Sequence, residues 1–345
     1  MLVRLGNYQL TMPAIILSSG AQFTAAQGDT ILDAAAKAGV LLPYSCKTGR
    51  CSTCKCKVIT GKSSPVQPES GLTEQEQVDG WVLSCVRSAE TDLVIEAEGL
   101  NGIALPQPKI VPCRIGSLEK LAQDVMRVVM RLPPMTAFNF IPGQYVDVIG
   151  PGGMRRSYSI ASASLDTNML ELHIRAVKGG KMSDYWFNHA KVNDLLRLNG
   201  PLGTFFLRDV ADADLIFMAT GTGIAPVKAL LEAIPSLAQD QRPRSVTVLW
   251  GGRVREDLYF DVTALPGKHA YIPVLSRAGQ GWNGDIGHVQ DALLCRKPDL
   301  SKAVIYACGS HAMIRSAQAA LSRAGLPSKR FYSDAFVCSA TFSSS

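Results

Sequence analysis

The spacing of apolar residues changes several times along the chain, and each change marks a different kind of element. Apolar and polar residues alternate from about Tyr8 to Phe23, the period of half-buried strands, which predicts a hairpin. A helical period follows over Ile31 to Ala38, with Asp29 or Thr30 placed to cap the helix and Gly39 to end it. Alternation returns at Cys113 to Leu118 and Val125 to Leu132, in the strand opened by the Pro142-Gly143 turn, and at Leu172 to Arg175, before a short helix over Ser183 to Phe187. Beyond Asp214 the pattern becomes solid. Leu215 to Ala219, Val246 to Trp250 and the run from Val304 read as strands covered on both faces, and helices are expected over Val227 to Ala233 and His311 to Ala324.

Punctuation divides these patterns. Gly99 to Pro112 has no helical period and reads as a linker, and a second shift falls near Asp209 to Asp214. The expected plan is a domain over 1–100, a linker over 101–109, a domain over 110–207, a domain over 208–338 and a Ser-rich tail over 339–345. Fold class is expected to be multidomain, α+β followed by α/β.

Composition narrows the functions. With 345 residues, 47% of them apolar, the chain can bury two or three cores. The net charge of +6 is spread over 35 basic and 29 acidic residues without basic runs, which argues against nucleic acid as a partner. No apolar stretch reaches the length of a membrane span, and Pro13 interrupts the first one, so neither a membrane segment nor a signal peptide is expected. The cytoplasm is the expected location. Nine cysteines in such a chain point to metal binding or catalysis rather than disulfides.

Four of them carry the strongest local signal. Cys46, Cys51 and Cys54 lie in one loop, and Cys85 follows 30 residues later, which is the C-x4-C-x2-C…C spacing of a plant-type [2Fe-2S] cluster. Cys46 and Cys51 would hold one iron, and Cys54 and Cys85 the other. Gly49 would let the backbone approach the sulfides. A zinc knuckle and unliganded buried thiols are the alternatives; three thiols crowded into one loop fit structural zinc poorly. Cys56 is either a spare ligand or packing. Lys47, Arg50, Lys55 and Lys57 surround the loop with no acid among residues 46–57, as a docking face for an acidic partner or as ordinary solvated charges.

Arg155-Arg156-Ser157-Tyr158-Ser159-Ile160 resembles the R-x-Y-S strand of the ferredoxin-NADP reductase superfamily. The resemblance implies a β-grasp ferredoxin domain, an antiparallel β-barrel flavin domain and a doubly wound parallel-sheet nucleotide domain. It further implies FAD, with Arg156 on the pyrophosphate, Tyr158 against the isoalloxazine and Ser159 near flavin N5, and Ser157 within the same strand. The family's second flavin segment matches His173, Arg175, Gly180, Lys181, Met182 and Ser183, at a turn and helix start suited to phosphate. Alternatively, His173 is a half-exposed strand residue and Arg175 a surface charge.

Strand, Gly221-Thr222-Gly223 turn, Pro226 and helix form the opening of a dinucleotide-binding sheet. Resemblance makes Cys308, Gly309 and Ser310 the nicotinamide-side loop, with Cys308 beside the transferring carbon unless it is simply a buried thiol. Phe336 would stack on the flavin, with Tyr332 as the core residue. Arg253, Arg255, Ser276 and Arg277 could hold a 2′-phosphate, with Glu256 and Asp257 opposing one. NADH is expected by analogy with relatives that carry a ferredoxin domain, and NADPH is the alternative.

The resemblance implies hydride transfer to FAD, catalysed around Ser159, Cys308 and Phe336, then single electrons through the cluster to a partner protein. Arg155 to Ala161, Gly200 to Phe206, Tyr306 to Ser310 and Ser333 to Val337 resemble the CDP-6-deoxy-Δ3,4-glucoseen reductases of CDP-3,6-dideoxyhexose synthesis, within lipopolysaccharide O-antigen formation. That branch implies a pyridoxamine-phosphate sugar dehydrase as acceptor. An aromatic-ring oxygenase or hydroxylase is the alternative acceptor, and a non-catalytic metal-binding redox sensor the alternative class.

Overall fold

A computed structural model describes residues 12–100, 102–164 and 168–336. The first part of the expected hairpin, Val337 and the Ser-rich tail lie outside the described residues. The chain divides into two compact units, Met1–Ile103 and Ala104–Ser345.

In the first unit, β1 (Ala14–Leu17) turns into β2 (Gln22–Thr24), and α1 (Ile31–Lys37) follows. Thr30 is the cap: its side chain accepts the Asp33 N–H at 3.1 Å, while Asp29 holds Lys37 at 2.6 Å. β3 (Lys55–Thr60), β4 (Ser63–Pro65), α2 (Glu74–Val78), β5 (Trp81–Leu83), β6 (Arg87–Ala89) and β7 (Leu93–Glu96) complete it. Its main sheet runs β2-β1-β7-β3-β5, with β1 and β7 parallel, and β4 pairs separately with β6. Ile31, Leu32, Ala34 and Ala35 of α1 join Ile15, Leu17, Leu93 and Ile95 in one core, the β-grasp arrangement.

The second unit opens with β8 (Lys109–Ala122), which extends well beyond the expected 113–118 because Val111, Cys113 and Ile115 bury one face in turn. β9 (Val125–Arg131), β10 (Tyr145–Ile149), β11 (Arg155–Ser159), β12 (Met169–Arg175), α3 (Lys181–Asp184) and β13 (Leu195–Leu202) follow. The antiparallel order is β11-β10-β13-β8-β9-β12, and a bridge from Ile160 to Leu172 joins its two ends into a barrel. The expected helix at 183–187 starts instead at Lys181, after a tight Val177–Gly180 turn, and widens into a π-turn over Tyr185–His189. That widening turns both Tyr185 and Trp186 into the barrel core.

The same unit continues with β14 (Asp214–Thr220), α4 (Ile224–Ala233), β15 (Ser245–Gly252), β16 (Ala270–Leu275), β17 (Asp285–Ile286), α5 (Val289–Cys295), β18 (Ala303–Ser310), α6 (His311–Arg323) and β19 (Phe331–Phe336). All pair in parallel in the order β17-β16-β15-β14-β18-β19. α4 begins three residues before the expected Val227, since proline at Pro226 is tolerated in a first helical turn, where its missing N–H has no partner to lose. Strand order reverses on either side of β14, so a ligand crevice is expected outside its carboxyl end. Among the described residues, no helix is long and apolar enough to cross a membrane.

Candidate functional site

The cysteine loop between α1 and β3 is shaped by backbone that turns inward. Lys47, Gly49 and Ser52 all take positive φ, at 53°, 72° and 64°. A side chain at Gly49 would place its Cβ 2.4 Å from the Pro68 carbonyl oxygen, so only glycine fits. These reversals aim amides at sulfur: Cys46 N–H donates to Cys51 Sγ at 3.4 Å and Thr48 N–H to Cys46 Sγ at 3.4 Å.

The four thiols gather in two pairs. The Cys46 and Cys51 thiols hydrogen-bond each other, as do those of Cys54 and Cys85. In each pair the bond favours negative charge on one sulfur over the other. The bond from Cys51 brings Cys46 down to about 5 and the bond from Cys54 lowers Cys85, while the donors Cys51 and Cys54 are pushed well up. Among the described residues no three His, Cys, Asp or Glu side chains surround a single ion position. Two neighbouring thiol pairs suit two irons, whereas tetrahedral zinc needs its ligands about one point. Cys56 is packing: it lies in the β-grasp core, and burial pushes its thiol up to about 12.

Cys85 is held from beneath. Glu69, almost wholly buried, accepts the Leu83 N–H at 2.6 Å and forms an ion pair with Arg87, so both flanks of the Cys85 turn are tied to one carboxylate. On the rim, Lys55 is already paired with Glu76 at 2.8 Å and stacked on Trp81, a contact that residues 46–57 alone do not show. Lys47 lies over the Tyr44 ring.

In the second unit, β11 presents two faces. Ser157 donates to Asp147 at 2.6 Å, and Arg155 reaches the same carboxylate, so these two point one way. Arg156 and Tyr158 share the other face, the spacing a phosphate and a stacked ring need. Trp186 Nε1–H donates to the Tyr158 hydroxyl at 3.0 Å and fixes that ring edge-on to its own. A cavity of about 900 Å³ opens between the Pro151–Met154 turn and the segment from Ala176 to His189, with Gly180, Lys181 and Ser183 in its wall. Met182 does not belong to the cavity wall. Its side chain is buried in the barrel core against Gly150, so only its backbone could serve a cofactor.

His173 is also corrected. It is neither half-exposed nor open to a ligand: Nε2 meets Glu171 at 2.8 Å and Nδ1 meets Tyr259 Oη at 3.0 Å. Burial outweighs the neighbouring Glu171 and lowers its pKa, which favours the neutral ring. Arg175 is likewise no free surface charge. It bonds Asp257 at 3.1 Å and pairs with Asp124 at 3.3 Å, and its Nη1 lies 3.0 Å from where a Cβ on Gly221 would stand. That places the guanidinium beside the nucleotide turn rather than the flavin cavity.

At the carboxyl edge of the parallel sheet, Gly221–Gly223, Gly252–Arg253, Cys308–Ser310 and Phe336 come together at the ends of β14, β15, β18 and β19. Gly223 touches the Cys308 backbone and Gly309 the Thr220 side chain so closely that no Cβ fits at either. Thr220 Oγ1 accepts the Ser310 N–H at 3.1 Å and seals the two loops to each other. The Cys308 thiol is wholly buried and raised well above its ordinary pKa by that burial. The Cys308 side chain packs in the core, with its backbone at the loop that faces Gly223. Asp257 does not oppose a 2′-phosphate as expected: its carboxylate turns inward to the N–H groups of Arg253 and Val254. Burial would raise it, but those bonds and Arg175 outweigh burial and hold it below the usual carboxylate range.

Sequence reading missed Asp124, Trp186 and Thr220, and gave Asp257 another role. An Asp five residues past a glycine-ended strand, Asp257 after Gly252, is the one signal that could have shown the inward carboxylate.

Family comparisons place a 2Fe-2S iron-sulfur cluster binding domain at residues 15–90, an oxidoreductase FAD-binding domain at 112–207 and an oxidoreductase NAD-binding domain at 217–319. The chain is 39% identical to a CDP-6-deoxy-L-threo-D-glycero-4-hexulose-3-dehydrase reductase of Yersinia pestis, over 92% of this chain and 96% of that one. It is 33% identical to the xylene/toluene monooxygenase electron transfer component XylA of Pseudomonas putida, over 93% and 92%. Among solved structures, the Amycolatopsis cytochrome P450 reductase GcoB superposes with a TM-score of 0.70 at 28% identity, covering 94% of this chain and 98% of that one.

Proposed function

The chain belongs to the ferredoxin-NAD(P) reductase family with an N-terminal [2Fe-2S] domain, and on that premise we propose how its residues divide the work. The protein is an NAD(P)H-dependent oxidoreductase carrying FAD and a [2Fe-2S] cluster and serving an electron-accepting partner protein. When bound, FAD takes a hydride from the nicotinamide and releases its electrons singly to the cluster.

Cys46 and Cys51 hold one iron and Cys54 and Cys85 the other; the two thiol pairs support this reading. Arg156 forks to the FAD pyrophosphate, and Tyr158, braced by Trp186, stacks on the ring. Gly180, Lys181 and Ser183 line the cavity for the rest of the flavin nucleotide. Gly221–Gly223 and Gly309 admit the dinucleotide backbone, and Arg175, held beside Gly221, serves its pyrophosphate. Phe336 and Ser310 are register partners at the sheet edge, which supports Phe336 as the residue covering the nicotinamide side. Arg253 stands exposed there for the ribose end, with NADH as the donor.

The acceptor we propose is a pyridoxamine-phosphate dehydrase of CDP-3,6-dideoxyhexose synthesis, as in CDP-6-deoxy-Δ3,4-glucoseen reductase. Full-length similarity to the Yersinia reductase carries that reading. The relationship to XylA supports a second, an oxygenase component as acceptor. NADH-driven turnover with each candidate partner tests them. Formation of 3-deoxy sugar nucleotide with the dehydrase, and no electron delivery to an oxygenase, is the expected result; the reverse pattern would establish the second reading.

A further inference from the structure

Helix α4, which rises from the nucleotide turn, sends one lysine across to the flavin barrel. Lys228 Nζ donates to the Ala161 carbonyl at 2.9 Å and to Glu232 at 2.7 Å, and lies 3.4 Å from Glu171. An ammonium has three N–H donors, and here three acceptors surround it. Glu232 in turn accepts the Ala163 N–H at 3.2 Å, so the lysine and its i+4 partner grip two backbone positions of one segment.

The segment they grip is the continuation of β11, two residues past Ser159. The helix they stand on begins at Ile224, directly after Gly221–Gly223. The bonds from Lys228 to the Ala161 carbonyl and from the Ala163 N–H to Glu232, with the Lys228–Glu171 ion pair, therefore tie the helix that follows the nicotinamide turn to the end of the strand assigned to the flavin. The two helix side chains are largely withdrawn from solvent, 16% exposed for Lys228 and 24% for Glu232, where a charge-assisted bond is worth more than at a surface.

We propose that Lys228, with Glu232, is a positioning residue that fixes the flavin strand relative to the nicotinamide turn and so sets the geometry of hydride transfer. The inference rests on the assignment of FAD to Arg156–Ser159 and of the nicotinamide nucleotide to Gly221–Gly223. Hydride transfer is steep in distance, and a misplacement of about 1 Å can cost about a hundredfold in rate. Neither side chain is assigned contact with either cofactor, so affinity for NADH should change little.

Lys228→Met, Lys228→Arg and, should the first fail to fold, Glu232→Gln test the inference in the full-length holoprotein. The limiting rate of flavin reduction at saturating NADH is expected to fall by about tenfold to a hundredfold in Lys228→Met. Its NADH affinity and flavin content should stay near the parent values, and Lys228→Arg should recover most of the rate. Before NADH is added, amide exchange at Ala163 should accelerate in Lys228→Met, since its acceptor Glu232 loses its anchor. A parental limiting rate, or a lower melting temperature with that rate unchanged, would overturn the inference. Arg156→Leu separates the two failures. If Arg156→Leu loses FAD while Lys228→Met reduces normally, the flavin assignment stands and the positioning role falls; if Arg156→Leu retains FAD normally, the assignment itself has failed.

Discussion

Cys85→Ser is expected to abolish NADH-driven reduction of one-electron acceptors while NADH still bleaches the flavin. Cys85 is the one proposed ligand outside the cysteine loop, and it pairs with Cys54 alone. Serine at this position leaves the second thiol pair with a single sulfur, so the cluster loses one arm of its proposed ligand set. The fold should survive, since Glu69 still accepts the Leu83 N–H and still pairs with Arg87 on either side of the substitution. Iron and sulfide content, electron paramagnetic resonance after reduction and cytochrome c reduction read the first effect. Rapid-mixing absorbance of the flavin reads the second. Loss of flavin reduction as well, in a folded and flavin-loaded protein, would contradict separate sites.

Gly223→Ala is the second large effect. Gly223 has φ −60°, a backbone any residue adopts, so its requirement for glycine is purely one of space. A Cβ there would stand 2.2 Å from the Cys308 oxygen, 2.5 Å from its carbonyl carbon and 2.8 Å from Gly309 Cα, all backbone atoms that cannot swing aside. The nucleotide turn and the Cys308–Ser310 loop must separate, and the Thr220–Ser310 bond between them must lengthen or break. A displacement near 1 Å predicts a fall of about a hundredfold in the rate of flavin reduction by NADH. Cluster content and flavin content should be unchanged, and dithionite should reduce both centres normally. A rate close to the parent would mean that these two loops do not form the nicotinamide site.

The two proposed centres were not equally legible in the sequence. Three of the four cluster thiols lie within nine residues, and a single loop encodes their approach, so spacing alone carried them. Parallel strands are apolar on both faces, so β14, β15 and β18 showed themselves as unbroken runs. The start of α4 was hidden by Pro226, which sequence reading treats as a boundary although a first turn accommodates it. What could not be read was every interaction made where the barrel meets the parallel sheet. His173 finds Tyr259 86 positions away, Arg175 finds Asp257 82 away, and Lys228 finds Ala161 67 away. No local period encodes those partners, because they arise only when two separately patterned sheets pack together. For the same reason, the burial of the Cys308 side chain in the core of the parallel-sheet domain was not legible in its local sequence.

Electrons are expected to pass in order from nicotinamide to flavin to cluster, and anaerobic rapid mixing with NADH resolves that order. Flavin absorbance and freeze-quenched paramagnetic signals of the cluster would be followed in the same reaction, in the parent protein and after removal of FAD. Flavin bleaching is expected to precede the reduced-cluster signal, and the FAD-free protein to show no cluster reduction by NADH. Cluster reduction at the parental rate without flavin would contradict that order.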